Sequence, residues 1–210
     1  MSLAKIINAT KVESNSEQPS HVNGALILIA TRDLTIIICL SVLGLVISGS
    51  IAQMATLTGI PGSTYLFTVL LALQTSFSLL IYEGRRWRFF FQMTLFTFLI
   101  IPTPIGGVAF DFFSKIQMIA NAFVVDIIFN SVYGFYRKQD RLLLWSIMVA
   151  VVFWVMNPIF GLMIKPFFFS PEFAFRILDI LYWILPVIIV ESIAGGYFGY
   201  KIYKRIEKLS

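Results

Sequence analysis

The run from Lys115 to Arg137, KIQMIANAFVVDIIFNSVYGFYR, restricts the possible folds more than any other stretch of the chain. It is apolar and long enough to cross a membrane, since a hydrocarbon core of roughly 30 Å needs about 20 residues of helix. It nevertheless carries Gln117, Asn121, Asp126 and Asn130. At about 100° per residue, Asp126 and Asn130 share a face with Ala122 and Tyr133, while Gln117 and Asn121 lie nearly opposite. Polar groups left unsatisfied in hydrocarbon cost several kcal/mol, so this helix cannot turn both faces to lipid. Neighbouring helices or a watery cavity must cover at least one of them. The segment reads as the centre of a helical bundle with something to bind.

The remaining composition agrees. Of 210 residues, 58% are hydrophobic and only 13% charged, and 21 are Phe. That balance is too apolar for a soluble domain of this length and indicates a multi-pass protein of the cell membrane. A net charge of +5 does not imply nucleic acid, because the basic residues form short clusters between apolar runs and read as topology signals. A single cysteine, Cys39, excludes an internal disulfide, and with one histidine, His21, soft ligands are too few for zinc or haem. No metal or cofactor is expected. An enzyme is not expected either: there is no HExxH, no Walker lysine and no cysteine–histidine couple.

Residues 1–31 are polar and read as a disordered cytoplasmic tail, and residues 32–210 as an all-α, six-helix transmembrane substrate-binding domain. Apolar runs cover about 34–52, 64–82, 89–101, 115–136, 142–164 and 175–200. The third is short for a full crossing. Thr58–Ser63 is a glycine- and proline-built turn, and Pro158 predicts a bend in the fifth run beside Asn157. With six spans, all but three of the 16 Lys and Arg (Lys115, Lys165 and Arg176) fall on one side. The positive-inside rule then places both termini in the cytoplasm.

Counting about 1.5 Å per residue from the loop ends gives two polar zones. Asp126 and Glu191 fall near the midplane at similar depth, where they read either as a proton or cation relay or as carboxyls kept by hydrogen bonds to an amide such as Asn130. Gln117, Asn121 and Asn157 fall in the outer third near Lys165, Arg176 and Asp179. Amides with a few charges among aromatics suit a small polar ligand, and the alternative is interhelical hydrogen bonding alone. The binding reading has Asn121 and Asn157 facing each other across a cavity, with Gln117 and Lys165 on its rim. Gly44, Ser48 and Ala52 form a small-residue stripe that permits close helix approach, either within the chain or against a partner protein. Gly195 and Gly199 form a GxxxG pair.

Six spans in about 175 residues, that stripe, the Gly59-Ile60-Pro61-Gly62 turn, and the ending Glu191-Ser192-Ile193-Ala194-Gly195-Gly196-Tyr197-Phe198-Gly199-Tyr200 together resemble a known family. The pattern, over residues 32–207, is similar to the substrate-binding membrane subunits (S components) of energy-coupling factor (ECF) transporters. The resemblance implies capture of a vitamin, precursor or metal ion from outside, followed by toppling of the subunit in the membrane. A coupling transmembrane subunit and two cytoplasmic ATPases would drive that motion. It implies a pocket in the outer half among helices four to six, lidded by the loop after the first helix, and partner docking through Gly44, Ser48 and Ala52, where the family often carries alanines four apart. A cobalt or nickel cargo is not expected, because those subunits use an N-terminal histidine. The expected role is capture of a small organic nutrient for ATP-driven uptake. The alternatives are a proton-coupled secondary transporter working through Asp126 and Glu191, and a purely structural membrane subunit.

Overall fold

The computed structural model describes residues 31–58, 63–106, 109–113, 115–167 and 171–209, without side-chain detail for 56, 58, 63, 64, 165 and 171–180. The expected tail, apart from Thr31, and the expected outward turns at Gly59, Gly107 and Phe168 lie outside the described residues. Helix α1 spans Thr31–Thr58, and a 3-10 turn over Ser63–Phe67 leads into α2, Thr68–Tyr82. Then come α3 (Arg88–Ile100), α4 (Ile116–Lys138), α5 (Leu142–Ile164), a 3-10 turn at Lys165–Phe167, and α6 (Pro171–Glu207). No strand occurs among the described residues.

Five helical stretches are long and apolar enough to cross a membrane, which makes this a multi-pass membrane protein. The expectation of six full crossings therefore meets one exception. Helix α3 has 13 residues, about 20 Å of rise, and is shorter than the hydrocarbon core. It starts at the level of Asp126 and Asn130 of α4, because the turn before it packs against that helix. Glu83, Gly84 and Trp87 all adopt positive φ (50°, 77° and 71°), which reverses the chain tightly. Gly84 is required there twice, by its φ and because a Cβ would stand 2.8 Å from the Tyr133 ring. The turn is tied to α4: Asn130 Nδ2 donates to the Arg85 carbonyl at 3.5 Å. On the α1 side of the same turn, the buried Asp33 accepts from Arg85 Nη1 at 2.6 Å and Arg88 Nε at 2.8 Å.

Lipid offers no hydrophobic drive for helix association, so close backbone approach and hydrogen bonds must supply it. Helix α6 does this through the GxxxG pair. A Cβ at Gly195 would come within 2.5 Å of the Val69 carbonyl of α2, and one at Gly199 would overlap Ser76 Oγ. Gly196 faces the other way, 2.7 Å from the Ile147 Cα of α5 by the same construction, and its carbonyl accepts from Ser146 Oγ at 2.8 Å. The pair is thus used inside the chain, wedging α6 between α2 and α5. Between α4 and α5, the buried Trp145 packs edge-on against Tyr133 and Phe129, with centroids 5.1 and 6.4 Å apart.

Candidate functional site

A cavity of about 390 Å³ opens within the bundle, a size typical of small-molecule sites. It lies at the end away from the 83–88 turn. The C-terminal half of α1 supplies Ser48, Ile51 and Ala52, the start of α2 supplies Thr68 and Leu71, and the 104–106 loop stands over it. Gln117 and Met118 from the first turn of α4 and Trp154 and Asn157 from α5 complete the wall. Phe89, Gln92 and Phe96 of α3, with Gln74 and Thr75 of α2, form the deeper part.

Its polar lining is built from amides. Gln92 is fully engaged: its Oε1 accepts from Tyr82 Oη at 2.8 Å and its Nε2 donates to Ser78 Oγ at 3.1 Å. Gln74 Nε2 donates to the Leu40 carbonyl of α1 at 2.8 Å. Gln117 Nε2 donates to Asn157 Oδ1 at 3.4 Å. Two buried atoms in the wall, Gln117 Oε1 and Trp154 Nε1, have no hydrogen-bond partner among the described residues. An orphaned buried polar atom costs about 1–3 kcal/mol, so the wall is not optimised for stability alone. Among the described lining residues none is an acid, a lysine or an arginine.

The amide and small-residue positions expected from sequence fall as follows. Gln117 and Asn157 come together in the wall, bonded to each other. Asn121 does not line the cavity, contrary to the expected pairing across it. It is fully buried and its Nδ2 donates to the Phe153 carbonyl at 2.7 Å, because Phe153 is the α5 residue that packs at its level. Lys165 belongs to the 165–167 turn, and its side chain lies outside what is described, as do those of Arg176 and Asp179. Gly44, Ser48 and Ala52 turn inward: Ser48 and Ala52 line the cavity, and a Cβ at Gly44 would stand 2.6 Å from Gln74 Nε2. The stripe therefore faces α2, α3 and the cavity, while Leu43, Val46 and Met54 form the exposed side of α1.

Asp126 and Glu191 are not brought together. Asp126 accepts from the backbone N–H of Trp87 at 2.9 Å and of Phe90 at 2.7 Å, and from Asn130 Nδ2. Glu191 Oε2 accepts from the Val69 N–H at 3.1 Å. Each carboxyl thus closes the N-terminus of a different helix, α3 for Asp126 and α2 for Glu191, where the first N–H groups lack intrahelical acceptors. Gln92 near the start of α3 bonds Ser78 near the end of α2, so the two carboxyls sit near opposite ends of α2, on the order of 15 Å apart. Counting inward places them level only if both helices end where their apolar runs end, and α6 runs on to Glu207, past the expected end at 200, while α4 stops at Lys138.

The chain matches no known protein family model, curated protein or solved structure. Its site stands on its own chemistry.

Three contributors were not singled out in the sequence: Gln74, Gln92 and Thr68. Gln74 and Gln92 carry the signal that marked Gln117, a polar residue inside an apolar run. Thr68 carries none, because a threonine in a membrane helix satisfies its hydroxyl locally, here on the Tyr65 carbonyl at 2.7 Å.

Proposed function

We propose that this chain is a substrate-capture subunit, similar to ECF-type S components, that binds a small organic nutrient in the α1–α5 cavity for ATP-driven uptake. The observation that carries this reading is the cavity itself: enclosed by five helices, amide-lined, and placed at the end of the bundle poor in basic residues. On the positive-inside rule that end faces outward, with both termini cytoplasmic and the short α3 counted as the sixth span. The protein would reside in the cell membrane. Its partners would be a coupling transmembrane protein and two cytoplasmic ATPases. Because Gly44, Ser48 and Ala52 turn inward, docking would fall on other surfaces.

The proton-driven alternative requires two carboxyls in communication. Asp126 and Glu191 each bind backbone N–H groups of a helix end, and they stand well apart. The test is affinity purification of the full chain from its native membrane in mild detergent. Recovery of a membrane protein together with ATPases is expected. Recovery of the chain alone, with solute uptake into liposomes driven by an imposed pH gradient, would contradict the reading.

A further inference from the structure

Two cavity glutamines rest on glycines of the helix opposite. Gln74 of α2 lies over Gly44 of α1, where an added Cβ would stand 2.6 Å from Nε2 and 3.2 Å from Oε1. Gln117 of α4 lies over Gly161 of α5, where an added Cβ would stand 2.5 Å from Oε1. Both glycines sit within regular helices, where glycine costs stability relative to alanine by up to about 1 kcal/mol. Each therefore makes room for an amide at the expense of helix propensity.

The amides so seated keep open valences. The Leu40 carbonyl can only accept, which fixes the orientation of Gln74 and leaves its Oε1 as an acceptor with no donor among the described residues. Asn157 receives Gln117 Nε2 on its Oδ1, and its Nδ2 has no acceptor among the described residues. Gln74 and Asn157 are both more than nine-tenths buried. From this we infer that the cavity recognises its cargo by amide-to-amide hydrogen bonding. The cargo class is an uncharged molecule with a carboxamide or lactam edge, its N–H donating to Gln74 Oε1 and its C=O accepting from Asn157 Nδ2. Gly44 and Gly161 are the positions that set this specificity. The inference rests on the capture reading and narrows it.

The test uses the purified full-length chain in detergent and one aromatic scaffold in three charge states: indole-3-acetamide, indole-3-acetate and tryptamine. Binding is followed by calorimetry for the unaltered chain and for Gly44→Ala and Gly161→Ala. The acetamide should bind at least about tenfold tighter than either charged relative, since an unpaired charge is desolvated on entry. Each alanine variant should stay folded and weaken that binding by about tenfold or more, while Gly134→Ala, away from the cavity, should leave it unchanged. A charged relative that binds as tightly, or alanine variants that bind unchanged, would overturn amide recognition and leave capture standing. If none of the three binds, the organic extract of the chain decides. An equimolar molecule bearing a carboxamide or lactam upholds the inference, and one lacking both overturns it alone. An extract without any equimolar molecule overturns the capture reading as well.

Discussion

Lys115 and Asp126, eleven residues apart on one strand of chain, hold the two ends of another helix. Lys115 Nζ donates to the carbonyls of Ile100, Ile101 and Thr103 at 2.8–2.9 Å, closing the C-terminus of α3. Asp126 accepts from Trp87 and Phe90 and closes its N-terminus. About 16 Å of α4 rise separates the two residues, close to the 20 Å length of α3. A cation at the carbonyl end and an anion at the amide end both complement the helix dipole. This clamp explains how a helix too short to reach both surfaces persists inside a bundle, where its unpaired end groups have no water.

Breaking the clamp should cost stability in unequal amounts. Lys115→Met removes a charged donor from three carbonyls, of which only that of Thr103 has no other donor among the described residues, and should lower unfolding free energy by about 2–3 kcal/mol. Asp126→Asn keeps one acceptor oxygen and should cost about 1–2 kcal/mol. Thermal melting of the purified variants in one detergent measures both. Equal melting of Lys115→Met and the unaltered chain would remove the clamp.

The two asparagines should separate in their effects. Asn157→Ala should weaken cargo binding about ten- to a hundredfold, losing roughly 1–3 kcal/mol of hydrogen bonding. Asn121→Ala should leave affinity within a few fold and lower the melting temperature, because Asn121 serves the Phe153 carbonyl and not the cavity. Affinity and melting curves for the pair check this, and a reversed pattern would place Asn121 in the site.

Helix α6 should tolerate no side chain at its contact glycines. Gly195→Ala and Gly199→Ala each force a methyl group against backbone and side-chain atoms of α2 and should cost about 1–3 kcal/mol. Gly134 of α4 has nothing within 4 Å of an added Cβ, so Gly134→Ala should be neutral or stabilising by up to about 1 kcal/mol. Melting of the three variants side by side checks the contrast.

Much of this was legible in the sequence because hydrocarbon punishes exposed polar groups. The doubly polar run at 115–137 demanded burial on both faces, and Ala122, Asp126, Asn130 and Tyr133 on one side and Gln117 and Asn121 on the other are all buried. The helical class and the bounds of α4 and α5 followed from the same logic, whereas α1 and α6 run three to seven residues past their apolar runs at each end. Depth was the weak step. Residue counting takes the end of each apolar run as the surface, and α6 runs on to Glu207, past the expected end at 200, while α4 stops at Lys138, so Asp126 and Glu191 part company. The direction of the Gly44 stripe was not legible either. Small residues say that something comes close, and only the packing of Gln74 says what.

Topology is open to direct labelling. In a Cys39-free chain, Phe110→Cys should react with a membrane-impermeant maleimide from outside, since Phe110 is highly exposed in the loop at the cavity end. Lys138→Cys at the opposite end should react only after the membrane is permeabilised. The reverse pattern would invert the orientation.

Capture itself is tested most directly by native mass spectrometry of the full chain purified from its native membrane. The unaltered chain should carry one bound low-mass molecule, and a Ser48→Trp variant, whose indole fills the cavity, should be recovered folded and without it. An identical mass shift on both proteins, or none on the unaltered chain, would contradict a cargo site in this cavity.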